Sequence, residues 1–183
     1  AEILEKANET VVIDHHRLAV KAIDKCVLFY HEPIASSASE MVAELIEYFG
    51  SNVKISAPIS EALLSGIMLD TKNFVLKTGV RTFEAAAFLR KMGADTVAVK
   101  KLFANSIETY HQKSNLITSA EIYRKCAIAS TKEVFADIRI ASSQAADELL
   151  GIKGVNASFV MYTENGRVNI SARSLGAFNV QIV

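Results

Sequence analysis

The sequence predicts an α/β protein of two domains, the first a parallel sheet with flanking helices and the second of α+β type. Over residues 1–105, short β-branched apolar runs precede several segments with helical apolar spacing. A more polar helical stretch over 106–123 is predicted to link the domains. Over 124–183, a strand–turn–strand pattern surrounds Asn165-Gly166, the residue pair typical of a type I′ hairpin turn.

The first domain begins with the end of an amphipathic helix at residues 1–7. A short apolar run over 10–13 predicts a buried strand, and residues 25–30 are a second candidate strand. Ser37 and Glu40 have the spacing of a helix capping box, and Gly50 is placed to end that helix. Helices are therefore predicted over 41–49, from 57–58 to about 69, over 82–92 and over 95–103, with Pro58, Gly93 and Asp95 as boundary residues.

The second domain follows a single helix predicted over 107–123. Strands are predicted over 126–129, 157–163 and 168–173, and a helix over 142–150. The segment 134–141 fits either a strand or a helix.

Composition limits the classes of partner. Twenty basic residues balance twenty acidic ones in 183 residues, which excludes a dominant electrostatic grip on long nucleic acid or anionic lipid while allowing a local basic pocket. No run reaches the roughly 18 apolar residues that span a bilayer, so we expect no membrane contact by this chain. The chain starts without Met and stops inside an apolar run, so we expect a fragment of a longer protein.

Three consecutive polar residues, Asp14-His15-His16, end the first predicted strand. Ligands of open α/β sheets bind outside the carboxyl ends of strands. Backbone alternation would turn the two imidazoles in different directions, so that one binds a metal and the other faces a substrate. The alternative is a polar strand end with a capping Asp and two solvated histidines.

Asp70 lies where an apolar helix ends. The carbonyl end of a helix carries partial negative charge, which disfavours a carboxylate unless a cation is bound there. The alternative is an Asp outside the helix that caps a turn.

Further polar residues offer anion-binding chemistry. Arg173, in Ser171-Ala172-Arg173-Ser174, is the residue type suited to bidentate phosphate contact, although a solvated strand-end Arg explains it equally simply. The serines at 36, 37 and 39 lie at a helix N-terminus, where capping is the alternative to anion binding. His31 and His111 have no persuasive ligand spacing and are expected to be structural or surface residues.

Four segments together resemble the DHH–DHHA1 phosphoesterase superfamily: VVIDHH at 11–16, EPIASSASEMV at 32–42, LLSGIMLDTKNF at 63–74 and VNISARS at 168–174. Within it, they are most similar to the DHH–DHHA1 part of bacterial membrane-anchored cyclic-di-AMP phosphodiesterases. The resemblance implies a truncated DHH domain joined by a helical linker to a DHHA1 domain whose C-terminal part is missing.

The same resemblance implies a hydrolase that uses two Mn²⁺ ions to cleave cyclic-di-AMP to linear pApA. It implies that His15 and Asp70 are metal ligands. It also implies that Asp14 orients His15 or its strand, and that His16 faces the scissile phosphate.

For substrate binding, the resemblance implies a clamp of Arg173 with Ser171 or Ser174. The superfamily's His-x-Asp-x-Asp, Asp-Thr-His and Gly-Gly-Gly-His motifs are not in this sequence. The ligands of the first metal are thus absent, and we expect the fragment itself to be inactive.

Other functions remain open at this point. Within the same superfamily the alternative is a nano-RNase or a phosphatase of 3′-phosphoadenosine 5′-phosphate (pAp). Outside catalysis, the alternatives are a nucleotide-binding module and a dimerisation module. The resemblance also implies a catalytic part on the cytoplasmic face of a membrane-anchored parent protein, and a homodimer is the expected assembly.

Overall fold

The fold is described from a computed structural model, which describes residues 2–17, 23, 25–50, 53–133, 135–176 and 178–180. The chain divides into two compact units, Ala1–Ala104 and Asn105–Val183. Among the described helices, none is long and apolar enough to cross a bilayer.

The first unit contains a two-stranded parallel sheet. After helix α1 (Glu2–Lys6), strand β1 (Val11–Asp14) pairs in parallel with strand β2 (Leu28–His31). The register places Asp14 opposite His31. The carboxyl ends of both strands therefore present polar side chains at one edge of the sheet.

Four more helices follow among the described residues of this unit, and they confirm the helices predicted there with small changes at their ends. They are α2 (Ala38–Phe49), α3 (Ala57–Asp70), α4 (Val80–Lys91) and α5 (Thr96–Leu102). Their apolar faces share one core, formed by Ala43, Leu64, Ile67, Ala85, Leu89, Ala94 and Val99. Burial of these side chains is the main favourable contribution to the stability of the unit.

Helix α2 starts as its sequence predicts. Ser37 has an extended backbone, and its side chain accepts a hydrogen bond of 3.0 Å from the Glu40 backbone N–H. The Glu40 carboxylate is buried and accepts a hydrogen bond of 2.5 Å from the Ser36 hydroxyl. The Ser37 hydroxyl therefore caps the helix, as the capping interpretation predicts, while the Ser36 hydroxyl binds the Glu40 side chain. At the other end, Gly50 has φ 59°, the left-handed conformation expected of a helix-ending glycine.

The described part of the second unit contains a four-stranded mixed sheet and two helices. Its elements are α6 (Ile107–Thr118), β3 (Glu121–Tyr123), β4 (Cys126–Thr131), α7 (Ile138–Leu149), β5 (Ala157–Glu164) and β6 (Arg167–Ser174). The strand order is β3-β4-β5-β6, and β4 and β5 are parallel while the outer pairs are antiparallel. Helix α7 makes the crossover between the parallel strands, a β–α–β unit that the sequence analysis did not predict.

The prediction of one helix over 107–123 was wrong at its end. Helix α6 stops at Thr118, and residues 121–123 form a strand. The Thr118 and Ser119 hydroxyls donate to carbonyls of the last helical turn, which competes with helix continuation. Arg124 and Lys125 both have positive φ and make the tight turn to β4 without the usual Gly or Asn, so the hairpin signal was hidden.

The other predicted hairpin is confirmed. Asn165 and Gly166 have φ values of 52° and 71°, as a type I′ turn requires. Of the ambiguous segment 134–141, residues 138–141 are helical, and Val134 lies outside the described residues. The core of this unit joins α7 to the sheet through Ala141, Ala145, Ala146, Leu149, Ala127, Ala129 and Val160.

Candidate metal and phosphate sites

The ends of β1 and α3 bring His15 and Asp70 together. His15 directly follows β1 and is only 7% exposed, and Asp70 is the last residue of α3. The His15 Nε2 atom lies 3.3 Å from Asp70 Oδ2. Two residues separated by 55 positions, each proposed from sequence as a metal ligand, thus form one contact.

The donor geometry fits a shared divalent ion. Donors about 2.1 Å from an octahedral ion and at right angles to each other lie about 3.0 Å apart, close to the distance found here. Among the described residues, the second imidazole nitrogen, His15 Nδ1, is buried without a hydrogen-bond partner. The same residues contain no group of three or more His, Cys, Asp or Glu that could hold a metal, so a metal bound here would take two protein ligands from this pair.

Asp14 contacts His16. Its Oδ1 accepts hydrogen bonds from the His16 backbone N–H at 3.0 Å and from the His16 ring Nδ1–H at 2.7 Å. These two hydrogen bonds hold the pKa of the Asp14 carboxyl below its usual value. The His16 side chain is 77% exposed against 8% for His15. The two imidazoles therefore have different environments, one beside Asp70 and the other at the surface.

His31 is a neighbour of this site that the sequence analysis set aside. It ends β2, and its Nε2–H donates to the His16 carbonyl oxygen at 2.6 Å. The bond ties the backbone after β1 to the adjacent strand. His31 is the last residue of the next parallel strand, and this position is the signal that could have identified it as a neighbour of the site.

The turn after Asp70 is held by a buried hydroxyl. Thr71 is fully buried, and its Oγ1 donates to the Ile67 carbonyl at 2.7 Å and accepts from the Phe74 N–H at 2.9 Å. Lys72, Asn73 and Phe74 all have φ between 50° and 64°. Three successive left-handed residues without glycine are costly, so neighbouring contacts must enforce them.

We expect Thr71→Val to lower the free energy of unfolding by about 1–3 kcal/mol, because the Phe74 N–H loses its acceptor while the side-chain shape is kept. The Ile67 carbonyl loses one of two donors and keeps the Thr71 backbone N–H. Thr118→Val is the matched control, since Thr118 also bonds a carbonyl four residues back at a helix end but is exposed. Urea denaturation checks both variants. Equal effects would show that the Thr71 hydroxyl does not hold this turn.

In the second unit, Arg173 is held by helix α7. Its Nε donates to Asp147 Oδ1 at 2.8 Å and its Nη2 donates to the Ser143 hydroxyl at 2.5 Å. Its Nη1 donates to the Ala172 carbonyl at 2.9 Å. Arg173 is therefore fixed by the protein, unlike a freely solvated strand-end arginine.

Arg173 and Ser171 line a cleft of about 540 Å³ in this unit. The cleft is also lined by Arg139 and Ser143 of α7 and by Asn169 of β6. A guanidinium, hydroxyls and an amide around one opening are suited to an anionic ligand.

Ser174 has a different place. Its Oγ accepts hydrogen bonds from the Gly176 and Phe178 backbone N–H groups, both at 3.2 Å. This hydroxyl therefore stabilises the turn that follows β6. Of the two serines considered for the clamp, Ser171 is the one that lines the cleft.

Comparisons with known proteins show what this chain is similar to. Residues 1–67 match the model of the DHH family, N-terminal domain. The chain is 45% identical to the cyclic-di-AMP phosphodiesterase PdeA of Listeria monocytogenes over 184 residues, which cover 100% of this chain and 28% of that protein. A probable manganese-dependent inorganic pyrophosphatase of Thermotoga maritima is 43% identical over 77 residues, covering 42% of this chain and 14% of that protein.

The fold also matches a solved structure. An exopolyphosphatase-related protein from Bacteroides fragilis superposes with a TM-score of 0.80 at 24% identity, covering 94% of this chain and 52% of the other. The likeness supports the α/β architecture. The chain spans only 28% of the length of PdeA, so it corresponds to part of that relative. Residues 1–67 thus match the DHH family, and the whole chain is similar to one part of PdeA.

Proposed function

We propose that the protein carrying this chain is a metal-dependent phosphodiesterase that hydrolyses cyclic-di-AMP to linear pApA. The observation that carries the proposal is the buried His15 beside Asp70, at 3.3 Å, in a chain similar throughout to PdeA. A carboxylate and an imidazole, with no thiolate, are donors suited to Mn²⁺.

In this proposal His15 and Asp70 hold one of two Mn²⁺ ions. Bound divalent ions supply Lewis acidity, which activates water and stabilises charge on the phosphoryl oxygens. Asp14 fixes the His16 ring through Nδ1, so Nε2 is the nitrogen that a substrate phosphate meets. A positioned imidazole can donate a hydrogen bond to the developing charge.

The second unit contributes substrate binding in the same proposal. Arg173 and Ser171 line a cleft, and Arg173 is already held in place by α7. Fixed donors bind a phosphate with less loss of side-chain freedom than mobile ones. The neutral net charge of the chain agrees with a small dinucleotide substrate and not with long nucleic acid.

A nucleotide-binding module without catalysis is the second candidate function. It is favoured by one observation, the limited donor set: the described residues hold no cluster of three metal-ligating side chains. We therefore expect the 183-residue chain alone to hydrolyse far more slowly than the full-length protein, because two protein ligands hold a metal weakly.

The test measures turnover by the full-length protein with Mn²⁺ on three substrates: cyclic-di-AMP, pAp and a short RNA. We expect cyclic-di-AMP to be cleaved to pApA with the highest kcat/KM. Preference for pAp or short RNA would replace this function by that of a nano-RNase or pAp phosphatase. Metal-free binding of cyclic-di-AMP without turnover of any substrate would establish the binding module.

We also propose that the chain lies on the cytoplasmic face of a membrane-anchored parent protein and that it forms a homodimer. Both follow from the family resemblance. Light scattering of the full-length protein in detergent, corrected for bound detergent, measures the assembly, and a mass of one chain would contradict the dimer.

A further inference from the structure

The cleft of the second unit contains more binding chemistry than Arg173 and Ser171. Arg139 also lines it, so its wall carries two guanidinium groups and one carboxylate, Glu164, while Asp147 pairs with Arg173. Guanidinium groups recognise phosphate through paired N–H donors, and two such groups lie at this opening.

Helix and strand periodicity bring the polar groups of this cleft together. Arg139, Ser143 and Asp147 are spaced four residues apart on α7 and so follow one face of the helix. That face meets β6, since Ser143 and Asp147 both bond Arg173. Asn169, Ser171 and Arg173 are two residues apart on β6 and so share one face of the strand.

The hydrogen bonds of Arg173 fix the position of its guanidinium. This group has five N–H groups, two of them on each terminal nitrogen. Asp147, Ser143 and the Ala172 carbonyl accept from Nε, Nη2 and Nη1. Each terminal nitrogen carries a second N–H, and a pair of guanidinium N–H groups is the fork that two oxygens of a phosphate accept.

We propose that Arg139 is a second phosphate-binding residue, and that Asp147 and Ser143 are positioning residues that hold the Arg173 fork toward the ligand. The ligand class is the phosphate group of a nucleotide. This proposal rests on the proposed function, in which Arg173 binds substrate at the cleft. It adds Arg139, Ser143 and Asp147, to which the sequence analysis assigned no role.

The test is a metal-free NMR titration of the 183-residue chain with 5′-AMP, inorganic phosphate and adenosine. The probe is the Arg173 Nε–Hε signal, assigned by its loss in Arg173→Lys. Because Nε–H is bonded to Asp147, we expect this signal to exchange slowly with water. 5′-AMP and phosphate should shift it, and adenosine should not.

Variants separate the roles of the three residues. Arg139→Gln should weaken 5′-AMP binding about tenfold or more, since charge-assisted hydrogen bonds are lost. Asp147→Ala and Ser143→Ala should weaken it and make the Arg173 Hε signal exchange faster. Asp147→Asn should retain part of the binding, because its amide oxygen still accepts from Nε–H. Arg124→Gln removes a positive charge at the β3–β4 turn and should have no effect.

Kinetics of the full-length protein distinguish a role of Asp147 in substrate binding from a merely structural role. Asp147→Ala should raise KM for cyclic-di-AMP about tenfold with little change in kcat, as loss of a binding interaction predicts. Unchanged amide spectra outside the cleft confirm that the variants fold.

Three results would overturn the inference: no shift of Arg173 Hε with either phosphate ligand, equal shifts with adenosine, or wild-type affinity in Arg139→Gln. Response to 5′-AMP alone would support a site that also requires the nucleoside. The titration involves neither metal nor turnover. A failed titration would therefore contradict the phosphate-binding roles without testing hydrolysis, and a failed hydrolysis assay would contradict the proposed function without changing the meaning of the titration.

Discussion

Replacing His15 with Ala in the full-length protein should lower manganese-dependent hydrolysis of cyclic-di-AMP more than about 100-fold. Loss of a residue that only supports a metal ligand already costs about 10–100-fold in metal affinity or activity, and loss of a ligand costs more. His15 is buried beside Asp70, so no other described side chain takes its place at this contact. Steady-state kinetics and Mn²⁺ titration calorimetry measure the two effects.

Two further variants make that result specific. Asp70→Asn keeps the size of the side chain but removes the charge, and should give a similar loss of Mn²⁺ affinity. His111→Ala is the matched control, because His111 is an exposed histidine of the second unit. If His15→Ala and His111→Ala have the same Mn²⁺ affinity and activity, the assigned ligand is wrong.

Gly66→Ala should destabilise the first unit by about 1–3 kcal/mol, the usual cost of overpacking. A Cβ at Gly66 would lie 2.1 Å from Ser39 Oγ and 3.0 Å from Ser39 Cβ, so the Ser39 hydroxyl would have to rotate and α2 and α3 would have to yield by a few tenths of an ångström. Gly66 precedes Asp70 by about one helical turn. The shift should therefore move Asp70 relative to His15 and also weaken Mn²⁺ binding.

Ser39→Ala removes the nearer of the two clashing atoms and should restore most of the lost stability in the double variant. Gly79→Ala is the control, because a Cβ there has no atom within 4 Å and the backbone φ of −117° suits any residue. Thermal unfolding measures all four proteins. Stability of Gly66→Ala equal to that of Gly79→Ala would contradict the tight contact between the two helices.

The sequence predicted most elements wherever their boundary residues carry a local signal. Pro58 near the start of α3, Asp95 before α5 and Gly50 after α2 are examples, and the structure confirms all three. The sequence also singled out His15 and Asp70 as candidate site residues. His15 directly follows a strand, and Asp70 is a carboxylate at the negatively charged C-terminal end of a helix.

The α7 residues Arg139, Ser143 and Asp147 could not be found in the same way, although Arg173 and Ser171 were. Helix α7 follows Asp137, which is left-handed with φ 64° and makes no side-chain cap, so the usual start signal is missing. The sequence therefore predicted a helix from Ser142 and left 134–141 open between strand and helix, which hid the four-residue spacing of Arg139 with Ser143. The bond from Arg173 to Asp147 joins residues 26 positions apart and depends on how α7 crosses the sheet.

The central claim is that His15 and Asp70 hold a divalent metal ion. The most direct test is crystallography of the full-length protein grown with Mn²⁺, with anomalous scattering recorded at the manganese absorption edge. The claim predicts an anomalous peak within bonding distance of His15 Nε2 and a carboxylate oxygen of Asp70. A manganese peak bound by other residues, with His15 and Asp70 contacting only each other, would contradict it.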